Sequence, residues 1–373
     1  METPREACSR HDSAMDGPLD AAPLPQVSLQ RDISLAAARP GAGMILKDLK
    51  RFGPNASPPE MGLDEAFAYC KQLAQSHYEN FAVTNQWIPR SLRPHFHSVY
   101  AYCRWSDDLA DEMGSTQTAS AMLQWWHDQL DACYCGRAQH PVFVALRHTI
   151  SQFQIPKTPF EDLLSAFIQD QTVTRYPTQH AVLDYCSRSA NPVGRLVLYL
   201  ANIHSEQTAR WSDSICSGLQ IANFCQDVAV DARRGRIYWP IEFLEQSGID
   251  PEELLRGESQ PHWQNALATW ASTAVTLLCD GAPLVEQGPR WFARSVQLFA
   301  RGGLTILDNL ATHQFDVWNQ SITVRSSQKL KLVWDAFLRA RSTQWSRRPS
   351  RFTFATSSIS PSSAAAVHER QLA

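Results

Sequence analysis

Two short acidic segments contain the residues of this sequence that are best suited to chemistry. The first reads RWSDDLADE and the second reads QIANFCQDVAVD. In each segment two aspartates lie four positions apart, namely Asp107 and Asp111 in the first and Asp227 and Asp231 in the second. Residues four apart share one face of an α-helix. Each pair is therefore predicted to present two carboxylates side by side.

Clustered carboxylates repel one another, so such a pattern needs compensation. Mg²⁺ provides it, because this cation prefers carboxylate oxygens, keeps several waters and bridges to substrate phosphates. The alternative is two acidic helix faces exposed to water. The flanking residues favour a shared metal–diphosphate site. Asp108 adds a carboxylate, and Tyr100 and Arg104 precede it in steps of four. Gln220 and Asn223 lie at helical spacing before the second aspartate pair.

The elements that position these segments are predicted to be helices. Leu63, Phe67, Cys70 and Ala74 follow a 3.6-residue period. Further helices are predicted at 141–153, 159–170, 263–278, 291–300, 303–313 and 330–341. Strand signals are nearly absent. The NPVG sequence after the YC pair predicts either a helix boundary or a kink that lines a cavity. The chain is therefore predicted to be all-α.

Composition divides the chain into three parts. Residues 1–60 are rich in Pro, Ala, Ser and Gly and are predicted to be a disordered leader, residues 61–342 a single helical domain, and residues 343–373 a disordered tail. The chain has 373 residues, 44% of them hydrophobic, and a net charge of −3, which gives no support for a general nucleic-acid binder. No apolar run reaches membrane-spanning length, and a cytoplasmic location is predicted.

Several separated motifs occur in an order that resembles a known family. They are YAYCR followed by DDLAD, then YC and NPVG, then QIANFCQDVAVD, and finally GRIYWP. Over roughly residues 62–340 the chain resembles the squalene/phytoene synthase family. Within the family, ENFAV and NPVGR resemble the bacterial hopanoid-route branch called squalene synthase HpnC, which is thought to act as hydroxysqualene synthase.

The resemblance implies an all-α isoprenoid synthase fold with a central cavity between two Asp-rich helices. These helices would hold Mg²⁺, or Mn²⁺ as an alternative, against a diphosphate. The expected reaction converts presqualene diphosphate to hydroxysqualene with loss of diphosphate and without nicotinamide. One alternative is head-to-head condensation of two prenyl diphosphates, such as farnesyl diphosphate. Another is a non-catalytic assembly factor. Association with other squalene-route enzymes is also implied.

The resemblance also implies roles for individual residues. The expected metal ligands are Asp107, Asp108, Asp111, Asp227 and Asp231. The expected diphosphate-binding residues are Arg104, Arg236, Tyr100, Arg175 and His77. The expected catalytic residues are Tyr185, Asn223 and Gln220. The face of Tyr185 would steady a carbocation, although an ordinary core tyrosine is the alternative. His77 has the alternative role of capping helix carbonyls.

The chain departs from the family at positions that concern a second diphosphate. Glu79 and Asn80 stand where many members have a basic or hydroxyl-bearing residue, and Gln226 stands where Arg is frequent. Both departures remove positive charge or donors. We therefore predict an enzyme that handles one diphosphate.

The C-terminal segment suggests a peripheral contact with the inner face of a membrane. Its arginines alternate with aromatic residues, and the residues concerned are Arg339, Arg341, Trp345, Arg347, Arg348, Arg351, Phe352 and Phe354. Such a segment can bind anionic lipid. The alternative is a tail that is simply solvated.

Overall fold

The computed structural model describes residues 44–57, 60–76, 87–257 and 260–347. Within these ranges the chain forms fourteen α-helices and two short β-strands, which confirms the predicted all-α class. The first seven helices are α1 (Met44–Phe52), α2 (Leu63–Ser76), α3 (Arg93–Asp111), α4 (Thr116–Tyr134), α5 (Pro141–Phe153), α6 (Thr158–Gln169) and α7 (Gln179–Ser189). The others are α8 (Asn191–Leu200), α9 (Glu206–Arg233), α10 (Ile241–Gln246), α11 (Pro251–Leu255), α12 (Pro261–Asp280), α13 (Arg290–Thr312) and α14 (Ser326–Leu338). The strands are β1 (Arg175–Tyr176) and β2 (Ile237–Pro240).

One helix boundary predicted inside the domain is absent from the structure. At a second position, the structure decides between a helix boundary and a kink. The helices predicted at 291–300 and 303–313 are one continuous helix, α13. Gly303 lies inside it where α9 packs closely against α13, since an added Cβ would lie 2.7 Å from Leu219 Cδ2 of α9. The Asn191–Pro192 pair is a helix boundary and not a kink. Pro192 lies in the first turn of α8, where a missing N–H costs nothing.

Helices occupy part of the predicted leader and part of the predicted tail. Helix α1 lies inside the predicted leader, where Leu49 and Phe52 are buried and Phe52 packs edge-on against Tyr69 at 5.5 Å. A 3₁₀ helix at Gln344–Arg347 lies inside the predicted tail, where Trp345 packs against the core. Burial of these apolar side chains explains the order. Residues 1–43 and 348–373 lie outside the described part of the chain.

The core consists of two hydrophobic clusters. One joins α2 to α6 around Trp105 and Trp126, and the other surrounds α9, α12 and α13. Helix α8 lies between them, because Leu196 belongs to the first cluster and Leu198 to the second. A search of the described helices finds none that is long and apolar enough to cross a bilayer.

Helix α9 is the central element and carries the second aspartate pair. Ser205 caps its N-terminus by accepting a hydrogen bond from the Thr208 amide at 3.1 Å. The helix then runs to Arg233 and buries residues on several sides, including Ile221 and Phe224. This burial fixes the orientation of the helix, and hence the direction of its polar face.

A short parallel pairing of β1 with β2 connects two parts of the chain that are distant in sequence. The Ile237 amide donates to the Thr174 carbonyl at 2.8 Å. This bond brings the segment that follows α6 beside the segment that follows α9. The pairing therefore positions residues from distant parts of the sequence around one space.

Candidate active site

A cavity of about 200 Å³ lies where α3, α6, α7 and α9 meet. Five predicted site residues line it, namely Asp107, Asp111, Tyr185, Gln220 and Arg236. The other lining residues are Leu163, Ala166, Phe167, Asp170 and Ser189. The cavity therefore has carboxylates and one guanidinium on some walls and apolar side chains on the α6 wall.

The first aspartate motif divides between two faces of α3. Asp107 and Asp111 line the cavity, whereas Asp108 lies on the buried face with only 1% of its side chain exposed. Helical geometry explains the separation, because successive residues point about 100° apart. Burial raises the pKa of Asp108 to about 7, although the ion pair with Arg104 opposes this rise. The structure thus places Asp108 outside the cavity and does not bring it together with the expected metal ligands.

Arg104 lies between the two faces. Its guanidinium pairs with Asp108 and also donates from Nη1 to Asp107 Oδ2 at 3.3 Å. Burial and the neighbouring Asp111 carboxylate raise the pKa of Asp107, and Arg104 lowers it. Tyr100 lies one turn earlier on α3 and is partly buried. Arg104 is therefore close to the cavity but already engaged with the aspartates of its own helix.

The second aspartate pair projects from the last turns of α9. Burial raises the pKa of Asp227, and it raises that of Asp231 to about 6. The Asp227 carboxylate raises the pKa of Asp231 further, while Arg234 and Arg236 lower it. Neither aspartate lines the 200 Å³ cavity itself. Asp231 nevertheless interacts electrostatically with Arg236, which lines the cavity.

Arg236 connects the two aspartate motifs. Its positive charge lowers the pKa of Asp231, and it interacts in turn with Asp170 and Asp111. Nη2 of Arg236 also donates to the Asp170 carbonyl oxygen at 3.3 Å. The Arg236 guanidinium therefore interacts electrostatically with carboxylates from both Asp-rich helices. This observation indicates that the two motifs face a common space.

Asp170 is a cavity residue that the sequence interpretation did not assign. The Tyr185 hydroxyl donates to Asp170 Oδ2 at 2.8 Å. Asp170 Oδ1 is buried and finds no hydrogen-bond partner in the part of the chain that the structure describes. Burial raises the pKa of Asp170 to about 6, against the Tyr185 bond and Arg236, which lower it. A signal was available: Asp170 is the C-cap of α6, where the helix dipole disfavours an acid.

Tyr185 belongs to an aromatic cluster formed by Tyr176, Tyr185, Phe224 and Tyr238. The Phe224 and Tyr238 rings stack at 4.1 Å, and the Tyr185 ring lies 5.8 Å from that of Tyr238. The Tyr176 ring is 5.3 Å from that of Tyr185. Packing and the Asp170 hydrogen bond together fix the ring of Tyr185 at the cavity wall.

Several other predicted residues lie away from the cavity. Arg175 is exposed on β1, and its Nη2 donates to Glu252 Oε1 at 2.8 Å. Asn223 is exposed on α9 and does not line the cavity. Gln226 donates from Nε2 to the Ile322 carbonyl oxygen at 2.8 Å, so its amide tethers the loop before α14. His77, Glu79 and Asn80 lie outside the described residues.

The donor set suits a divalent cation that bridges to phosphate. Asp111 of α3 and Asp231 of α9 both interact electrostatically with Arg236, and each has a second aspartate of its own helix beside it, Asp107 or Asp227. Burial raises the pKa of Asp107, Asp227 and Asp231. Carboxylates whose charge is poorly compensated by the protein are what a hard cation such as Mg²⁺ requires. The residues present therefore fit the expected metal.

Comparison with known proteins identifies the family. The family model for squalene/phytoene synthase matches residues 74–333. The chain belongs to the squalene/phytoene synthase family. Members of this family are prenyl transferases that condense prenyl diphosphates head to head and use a divalent metal to bind diphosphate. The matched region contains both aspartate pairs, Tyr185 and Arg236.

Two relatives whose names give different activities have comparable sequence similarity to this chain. The chain is 28% identical to phytoene synthase of Arthrospira platensis over 293 residues, which cover 74% of this chain and 94% of the relative. It is 36% identical to hydroxysqualene synthase of Rhodopseudomonas palustris over 214 residues, which cover 56% of this chain and 71% of the relative.

Solved structures of this family share the fold. Squalene synthase HpnC from Alicyclobacillus acidocaldarius superposes with a TM-score of 0.65 at 38% identity, covering 68% of this chain and 95% of that one. A dehydrosqualene synthase in complex with ligand superposes with a TM-score of 0.66 at 22% identity, covering 74% of this chain and 98% of that one. The predicted isoprenoid synthase fold is confirmed.

Proposed function

We propose that this protein converts presqualene diphosphate to hydroxysqualene with loss of diphosphate, using Mg²⁺. The principal support is the cavity, in which Arg236 lies within reach of carboxylates from both Asp-rich helices. The similarity to an HpnC squalene synthase at 38% identity and to a hydroxysqualene synthase at 36% supports the finer assignment.

In this proposal the aspartates and the arginine act on the leaving group. Mg²⁺ bound by Asp107, Asp111, Asp227 and Asp231 would supply Lewis-acid stabilisation of the departing diphosphate. Arg236 donates hydrogen bonds to the same diphosphate, because its planar fork matches phosphate oxygens. Charge that develops on the leaving group is thereby stabilised in a partly buried site, where electrostatic interactions are strong.

The remaining cavity residues act on the carbocation. Leu163, Ala166 and Phe167 form an apolar wall suited to a prenyl chain and to the exclusion of bulk water. Tyr185 presents its ring to the cation, and Asp170 holds its hydroxyl. Gln220 lines the same cavity and is the residue we assign to positioning the water that captures the cation.

Head-to-head condensation of two prenyl diphosphates is the second candidate. It is favoured by the similarity to phytoene synthase, which extends over 74% of the chain, further than the match to hydroxysqualene synthase. A condensing enzyme must bind two diphosphates. Gln226 disfavours binding of a second diphosphate, because its side chain is neutral and its amide donates a hydrogen bond to the Ile322 carbonyl oxygen.

Product analysis separates the two candidates. The purified chain is incubated with Mg²⁺ and without nicotinamide, with presqualene diphosphate in one reaction and farnesyl diphosphate in another. Hydroxysqualene formed only from presqualene diphosphate supports the proposal. Presqualene diphosphate that accumulates from farnesyl diphosphate would assign the chain to condensation. No turnover of either substrate would refute both. A double Asp107→Asn/Asp111→Asn variant controls for contaminating activity.

The residue departures provide a further test of the number of diphosphates bound. Gln226→Arg and Glu79→Gln are assayed with both substrates. If these positions exclude a second diphosphate, the variants gain condensing activity relative to the wild type. Wild-type product ratios in both variants would reject that explanation. Because Gln226 tethers Ile322, the thermal midpoint of Gln226→Arg is measured in parallel.

A further inference from the structure

Helix α14 exposes an apolar stripe that the active site does not use. The exposed fractions are 71% for Leu330, 62% for Trp334, 50% for Phe337 and 59% for Leu338. The spacing of i, i+4, i+7 and i+8 places these side chains on one side of the helix. They account for half of the large hydrophobic residues that are exposed in the described part of the chain. A contiguous exposed apolar surface of this kind indicates a binding site.

The opposite side of α14 already packs against the protein. Leu332 is 8% exposed and Ala336 is fully buried. Arg301 of α13 forms an ion pair with Asp335 at 2.5 Å, which fixes the helix in place. Helix α14 therefore has two apolar sides. One side packs against the protein and anchors the helix, and the other is the exposed stripe. Its exposure follows from how the helix packs.

The rim of the stripe is positively charged. The exposed charged residues of α14 and its flanks are Arg325, Lys329, Lys331 and Arg339. The acid of this helix, Asp335, is neutralised by its ion pair with Arg301. The guanidinium of Arg294 lies 4.3 Å from the centre of the Phe337 ring. An apolar strip bordered by cations complements a surface with an apolar interior and anionic groups at its boundary.

We propose that this side of α14 docks on an anionic lipid bilayer. Leu330, Trp334, Phe337 and Leu338 enter the boundary between headgroups and acyl chains, and the flanking lysines and arginines contact acidic headgroups. Trp334 suits that position, because its ring has an apolar body and a polar N–H. The docking surface lies on α14, and Arg339 is the residue that it shares with the basic C-terminal segment.

Charge argues against two other occupants. A second copy of the chain would bring one cationic rim against another, because a two-fold interface pairs a surface with itself. The residues after Arg347 include three arginines and one glutamate, so that segment offers no complementary charge either. An anionic bilayer satisfies both the apolar stripe and its rim.

Vesicle flotation of the full chain tests the proposal. Vesicles of phosphatidylcholine alone are compared with vesicles that also contain phosphatidylglycerol, at low and high salt. We expect the wild type to float with the anionic vesicles, more weakly at high salt. The double variant Leu330→Ser/Trp334→Ser should lose at least about tenfold in partitioning, since about 1.4 kcal/mol corresponds to tenfold and two exposed apolar side chains exceed that. Its turnover of detergent-dispersed substrate should equal that of the wild type.

Matched variants distinguish the stripe from other features. Phe352→Ser/Phe354→Ser removes two aromatic residues from the C-terminal segment and should leave flotation unchanged. Lys329→Glu/Lys331→Glu should weaken binding to anionic vesicles, whereas Lys71→Glu, an exposed lysine of α2, should not.

Three results would overturn the proposal. One is wild-type flotation that does not depend on phosphatidylglycerol. Another is loss of flotation in the Phe352/Phe354 variant together with its retention in the Leu330/Trp334 variant. The third is a wild-type dimer, seen by light scattering without lipid, that becomes a monomer in the Leu330/Trp334 variant. That outcome would assign the stripe to a contact between copies.

Discussion

Replacement of Asp170 by Asn tests whether the negative charge of this buried carboxylate destabilises the folded protein. The amide keeps the size of the carboxyl and an oxygen that accepts the Tyr185 hydroxyl, which lies 2.8 Å from Oδ2. It removes the negative charge from a buried position whose Oδ1 finds no partner among the described residues. We expect the Asp170→Asn variant, free of metal, to be more stable than the wild type at neutral pH.

The magnitude follows from the pKa of Asp170. Burial raises it from 3.8 to about 6, so the folded state favours the neutral carboxyl. At about 1.4 kcal/mol per pKa unit, this rise corresponds to an upper limit of about 3 kcal/mol. Relaxation and water in the open cavity reduce it to roughly half. The stabilising protonated form is fully present below about pH 4 and is lost as pH rises through about 6. The advantage of the variant should therefore be absent at pH 4 and complete above pH 7.

Urea unfolding between pH 4 and pH 8 in the presence of a chelator measures this difference. Asp128→Asn is the control, because Asp128 is an exposed mid-helix carboxylate that also accepts one side-chain hydrogen bond, from Gln124 at 3.1 Å. We expect no more than about 0.5 kcal/mol from that change. An Asp170→Asn variant with no gain in unfolding free energy at pH 8, or with a gain that is equal at every pH, would refute the reasoning.

Four further outcomes follow from the site. Tyr185→Phe should lower stability at pH 8 by about 1 kcal/mol, measured by urea unfolding, because Asp170 loses its hydrogen bond. Arg236→Gln should lower kcat/KM by at least about 100-fold, whereas Arg175→Gln should stay within about twofold. Removal of the metal with a chelator should abolish turnover, and added Mg²⁺ should restore it. Mg²⁺ should also raise the thermal midpoint of the wild type but not that of Asp111→Asn; equal shifts would place the metal elsewhere.

The periodic spacing of residues in the sequence predicted the positions of several helices well. Helix α5 occupies the predicted range from Pro141 to Phe153, and the two aspartate pairs lie on helices as their spacing indicated. These features depend on local periodicity, which the sequence contains directly. The break predicted between residues 300 and 303 is absent from α13, which packs closely against α9 at Gly303. Local propensity gives way to tertiary contact at such points.

Contacts that depend on distant pairing could not be predicted in the same way. The family resemblance grouped Arg175 with Arg236, but pairing of β1 with β2 leaves Arg175 on the surface beside Glu252. The bond between Tyr185 and Asp170 exists because the chain reverses between α6 and α7. The stripe on α14 is likewise visible only once the buried side of that helix is known. Each of these features follows from tertiary geometry.

The short pairing of β1 with β2 has a consequence for the order of folding. Arg236 and Asp170 are 66 residues apart in sequence, yet this pairing is what holds them together. Closing a loop of that length costs about 4 kcal/mol of chain entropy, which is recovered only after α7, α8 and α9 have packed. Topology of this kind favours late formation of long-range contacts. The two halves of the active site are therefore expected to meet late in folding.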